Sequence, residues 1–159
     1  MKNLLAGTLL FLAACNNMFE KKTSANAARL KAIMEETDKT WSFQPLIDIL
    51  AADVKFKSTV PAGTPISGEF KGKEAVARYF NVILQDVAVF KQQIPMEFIE
   101  AGNRVIILGD DAYTLKKTGV THRSPYAAIF TFEGGLIKDI LIIQDLSGIW
   151  EAYREGQET

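Results

Sequence analysis

Residues 127–145 read AAIFTFEGGLIKDILIIQD. The first part, with Tyr126 ahead of it, is rich in the β-branched and aromatic residues that suit a strand, and LIKDILIIQ (136–144) is a second such run. The glycine pair of EGG (133–135) lies between them as a turn. Strands joined this tightly run antiparallel. Upstream, residues 104–117 carry VIILG and AYTL, and residues 94–101 set Ile94, Met96 and Phe98 on alternate positions before an AGN turn. These runs read as an antiparallel meander, followed by a short helix over residues 148–154.

Toward the N-terminus the period changes. GKEAVARYFNVILQDV (72–87) is the clearest helix, with Val76, Tyr79, Phe80 and Ile83 on one face. A short strand over 66–70 precedes it. Before that, residues 54–60 alternate Val54, Phe56 and Ser58 against Lys55, Lys57 and Thr59, the pattern of a half-buried strand. Pro45 suits the first turn of a short helix running through Leu46 to Leu50. A turn is expected at residues 51–53. Residues 27–41 form a helical stripe of Leu30, Ile33, Met34, Thr37 and Trp41, with Ser24 or Asn26 able to cap it. Helices grouped ahead of an antiparallel meander give an α+β fold in one domain, residues 27–156. Helices on one face of a bent sheet enclose an apolar pocket, the expected place for a ligand.

Taken together, LAADV before the first strand, SGEFKGKEAVARYF (67–80) and AAIFTFEGGLIKDILIIQD resemble the nuclear transport factor 2-like superfamily, and within it the SnoaL-like proteins. The resemblance covers roughly residues 27–153. It implies a cone-shaped (cystatin-like) fold, with helices packed on a curved, mixed, mainly antiparallel sheet. It also implies that dimerisation through the open sheet face is common. It does not imply one activity, because the superfamily holds isomerases, cyclases, dehydratases and proteins with no known reaction.

The catalytic positions of that superfamily are changed here. Carried over from ketosteroid isomerases, the base falls on Ser58, the tyrosine on Met34 and the protonated acid on Ala128. The aspartate that SnoaL-type cyclases carry in the last strand falls on Ile142. None of these side chains can move a proton at neutral pH, so the reading leans against an enzyme and toward a binding module. Its alternative is an isomerase, cyclase or dehydratase with a different residue set, for which His122 and Asp145 are weak candidates. Asp145 stands before the last helix as a cap. His122, beside Arg123, Ser124 and Pro125, reads as solvent-facing. Asp110 and Asp111 point to opposite faces of a strand and read as solvated charge. The expected pocket lining is Trp41, Phe56, Tyr79, Tyr126, Phe130 and Ile142.

The chain has 159 residues, 48% hydrophobic and 23% charged, with a formal net charge of -1. That balance gives no basic surface for nucleic acid. One cysteine and one histidine cannot build a cysteine- or histidine-rich metal site, and no cofactor is expected. The cysteine ends LLFLAAC (9–15), which closes an apolar run from Leu4 to Ala14 that is too short to span a bilayer, a task that takes roughly 20 residues. With Lys2 ahead of it, the run reads as a signal peptide over residues 1–14. Leu12-Ala13-Ala14-Cys15 resembles a bacterial lipobox, which implies that Cys15 carries the lipid and that residues 15–26 are a tether. The expected partners are therefore a bilayer through acylated Cys15, a small apolar ligand, and a second copy of the chain. The expected location is the cell envelope. Asn16 in place of aspartate favours the outer membrane, facing the periplasm, where there is one.

Overall fold

The computed structural model describes residues 24–154. Cys15, the signal segment and most of the expected tether lie outside them. Helix α1 (Ala25–Thr40) starts at Ser24, whose Oγ accepts from the Ala27 N–H at 3.2 Å. Residues 24–26 therefore belong to the first helix and not to a tether. Glu100 holds this start in place, accepting from the Ser24 N–H at 2.9 Å. Helix α1 ends on Trp41, the only residue other than glycine with positive φ among those described (φ 57°). Its N–H closes the helix on the Thr37 carbonyl at 2.7 Å.

Helix α2 (Gln44–Asp48) carries Pro45 in its first turn and leads directly into β1 (Leu50–Ser58). The turn expected at residues 51–53 is instead the opening of β1. A bulge between Leu50 and Lys55 interrupts the alternation there, which hid the strand from its pattern. Strand β2 (Gly68–Lys71) folds back on β1. Next comes α3 (Lys73–Arg78), continued by a π-turn (Tyr79–Ile83) and α4 (Leu84–Val87). The expected single helix thus carries one wide turn, and Tyr79 and Phe80 are both buried from it.

Strand β3 (Ala88–Gln92) was not expected. It follows α4 with no glycine or proline between. Strands β4 (Glu97–Ala101), β5 (Arg104–Leu115), β6 (Thr121–Glu133) and β7 (Leu136–Gln144) complete the sheet, and α5 (Ser147–Arg154) closes the described chain. Strand β6 begins five residues earlier than its apolar run, because Thr121–Pro125 pair with Asp110–Thr114 despite their polarity.

The sheet order is β2-β1-β7-β6-β5-β3, with β4 also on β5. Only the β1–β7 pairing is parallel among those described, so the sheet is mixed and mainly antiparallel. Strand β5 meets β4 along residues 104–108 and β3 along residues 111–115. One face of the sheet carries Val105, Ile107, Tyr113, Phe130, Phe132, Ile137 and Ile140, all buried under the helices. The fold is the expected α+β cone.

Candidate functional site

Strand register writes the site row by row across this inner face. In one row Gln92, Asp111 and Ser124 stand opposite one another. The next row holds Gly109, Tyr126 and Gln144. After it come Ile107, Ala128, Ile142 and Ser58, and then Val105, Phe130, Ile140 and Phe56. Polarity falls along these rows, from amide and carboxylate to hydrocarbon. Between them and the helices lies a cavity of about 130 Å³. Helix α1 and its cap bring Met34, Asp38 and Trp41 to it, and the π-turn brings Tyr79 and Phe80.

Among the expected lining residues, Trp41, Tyr79, Tyr126, Phe130 and Ile142 border this cavity. Phe56 does not. It is 1% exposed and packs behind the wall, 4.4 Å from Tyr79 and 5.4 Å from Phe80 between ring centroids. Ser58, Ala128 and Met34 all border the cavity, so the replaced catalytic positions do face one space.

Asp111 corrects the sequence reading. It is not solvated charge: it lines the cavity, while its neighbour Asp110 faces the other side of the sheet and binds Arg123 at 2.8–3.0 Å. Burial pushes the Asp111 carboxyl up to about 6; a hydrogen bond from Gln144 opposes this, and the charges of Asp38 and Asp110 add to it. The Gln144 amide reaches Asp111 Oδ2 and the Ser124 carbonyl, both at 3.4 Å. The Tyr126 hydroxyl donates to Gln92 Oε1 at 2.9 Å, and Gln92 donates in turn to the Ile94 carbonyl at 2.8 Å. The ring of Tyr126 lies over Gly109, where a Cβ would come within 2.4 Å of it. Only glycine leaves that space. Burial raises the Tyr126 and Tyr79 phenols, so both stay protonated.

His122 is half-buried and not solvent-facing. It stacks on Tyr113 at 5.2 Å and packs against Gly148, outside the cavity. Asp145 is exposed and accepts from the Ser147 N–H at 3.0 Å, the capping geometry, which holds its carboxyl below the usual range. Neither borders the cavity. Among the described residues no cluster of histidine, cysteine, aspartate and glutamate could hold a metal ion.

A curved sheet wrapped around a half-open, mostly apolar cavity defines a pocketed cone of the nuclear transport factor 2 type. Solved structures agree. A nuclear transport factor 2-like protein from Burkholderia xenovorans superposes with a TM-score of 0.69, at 18% identity, over 82% of this chain and 98% of that one. A Rhodopseudomonas palustris protein provisionally named an isomerase gives 0.63 at 14% identity, over 84% and 98%. A Catenulispora acidiphila protein with a ketosteroid isomerase-like fold, solved in complex with trimethylamine, gives 0.61 at 15%, over 83% and 95%. In sequence, the SnoaL-like domain family matches residues 27–140, and the chain belongs to that family. No curated protein matches it in sequence.

Proposed function

We propose that this domain binds a small apolar or amphipathic molecule inside the cone, its polar group toward Asp111, and that Cys15 anchors the protein in the cell envelope. The observation that carries the first part is the cavity itself. Aromatic and aliphatic side chains make most of its wall, and its carboxylate and amide groups gather at one end, as in small-molecule sites generally. One water needs about 10–15 Å³ of such space, so a cavity of about 130 Å³ has room for a small molecule. Native mass spectrometry of the protein purified from its own host tests this reading. A retained small molecule is expected, and it should be lost in Ala128→Trp, which fills the cavity from a wall position 4% exposed. A bare wild-type mass under those conditions would count against a resident ligand.

Anchoring rests on the signal segment and on the LAAC sequence at residues 12–15. Labelling cells with an alkyne fatty acid is expected to tag the wild type and not Cys15→Ser. A tagged Cys15→Ser protein would place the lipid elsewhere.

A second reading is favoured by Asp111 alone. A carboxyl raised to about 6 exchanges its proton readily near neutral pH, which suits isomerase-, cyclase- or dehydratase-type proton transfer to a bound ligand. It uses neither His122 nor Asp145. Deuterium entering a bound ligand in D2O, and failing to enter it in Asp111→Asn, is the expected sign of this activity.

A further inference from the structure

The polar end of the cavity is an array of acceptors. Two carboxylates border it, Asp111 from β5 and Asp38 from α1, and no lysine, arginine or histidine lines it among the described residues. Arg123, beside Ser124 in the Asp111 row, is held on the far face by Asp110. Four donors around the wall are already engaged. The Tyr126 hydroxyl gives its proton to Gln92, which leaves only an acceptor oxygen. Thr37 donates to the Ser42 carbonyl at 3.1 Å, and Thr59 to the Ile142 carbonyl at 3.1 Å. Gln144 already donates to Asp111 and to the Ser124 carbonyl. A ligand group entering here meets lone pairs and negative charge, so it must itself bring protons.

The walls next to these acceptors are aromatic. Trp41 and Phe90 lie with ring centroids 6.2 Å apart and planes within 20°, and Tyr126 covers the Gly109 side. All three border the cavity. Electron-rich ring faces beside carboxylates favour a cation on an apolar body and disfavour an anion.

Resting on the pocket reading above, we propose that the ligand is a small protonated amine, its ammonium group between Asp111, Asp38 and the Tyr126 oxygen, its apolar body toward Ala128, Phe130 and Ile142. Asp111 is the principal counter-ion, because Asp38 stands exposed at the mouth. The groups facing Asp111 are Asp38 from α1, Gln92 from β3, Tyr126 from β6 and Gln144 from β7. None of them supplies a positive charge. Lys31 and Lys39 share only an outer groove with Asp38.

Three probes of one shape test the charge: phenethylamine, 2-phenylethanol and phenylacetate. The core residues among those described fall between Ala27 and Ala152, and the full chain is the protein to use. Binding is read from amide chemical-shift changes. Phenethylamine is expected to bind about tenfold or more tightly than the alcohol, the scale of a charge-assisted hydrogen bond, and phenylacetate weakest. Asp111→Asn, nearly isosteric and checked for fold by its own spectrum, should erase the preference while keeping the alcohol. In the wild type the preference should weaken from pH 8 to pH 5, as Asp111 gains its proton, and Asp111→Asn should show no such weakening. Equal binding of amine and alcohol, or tighter binding of the anion, overturns the charge assignment and leaves the pocket standing. No binding by any of the three overturns both.

Discussion

A single carboxylate gives the cavity its chemistry. Asp111 and Asp110 are neighbours in the chain, yet one is raised by burial and the other is paired with an arginine, because a strand sends them to opposite faces. This has a consequence for stability. Asp111's folded value lies above the ordinary 3.8, so between about pH 4 and 6 the folded state binds more protons than the unfolded one. Stability then falls as pH rises through that window. Asp111→Asn is therefore expected to be more stable than the wild type at pH 7.5, by about 1 kcal/mol once solvent access at the mouth is allowed for. The gain should vanish below about pH 4. Urea titrations at both pH values check it, and equal stabilities at pH 7.5 would mean the carboxylate bears no desolvation cost. The alternation rule for this pair was legible in the sequence. Which face was inward was not, because Ile106 and Leu108 are as apolar as Val105 and Ile107.

Elements deliver the wall through their irregular points. Helix α1 stops by putting Trp41 in the left-handed region, and the same step swings the indole onto the cavity, 5.5 Å from Phe43 and 6.2 Å from Phe90. A bulky residue there carries a conformational cost of about 1 kcal/mol, which glycine avoids. Trp41→Gly should therefore be more stable than Trp41→Ala by about 1 kcal/mol in thermal unfolding, although both lose the same indole. The reverse order would mean Trp41 does not hold that backbone. The π-turn is the second such point, since it lets consecutive residues Tyr79 and Phe80 both be buried. Helical periodicity identified the helix and its apolar face. It had no means of showing the wide turn, which depends on how the segment fits β1 and α2.

At the scale of the whole molecule, the outer face of the sheet remains. Ile99, Leu108 and Ile143 are exposed there by 37%, 38% and 49%, alongside the half-buried Ile106, Ile129 and Leu141. A contiguous apolar surface of this kind is suited to a second copy. Sedimentation velocity is expected to show a dimer for the wild type and a monomer for Leu108→Lys combined with Ile143→Lys. An unchanged mass in the double variant would move the interface away from the sheet.

The α+β class, the hairpin of 127–145, the capping role of Asp145 and the family resemblance are all legible along the chain. All of these follow from local periodicity, turn residues and order along the chain. The site exists only once the strands have paired. Strand β3 has no sequence boundary of its own, yet its pairing sets Gln92 opposite Asp111. Gly109 and Tyr126 are seventeen positions apart and become one feature only when register lays the ring over the missing Cβ. A carboxylate's environment is set by what non-local pairing places around it. That is why Asp111 read as solvated along the chain and stands at the polar end of the pocket in the fold.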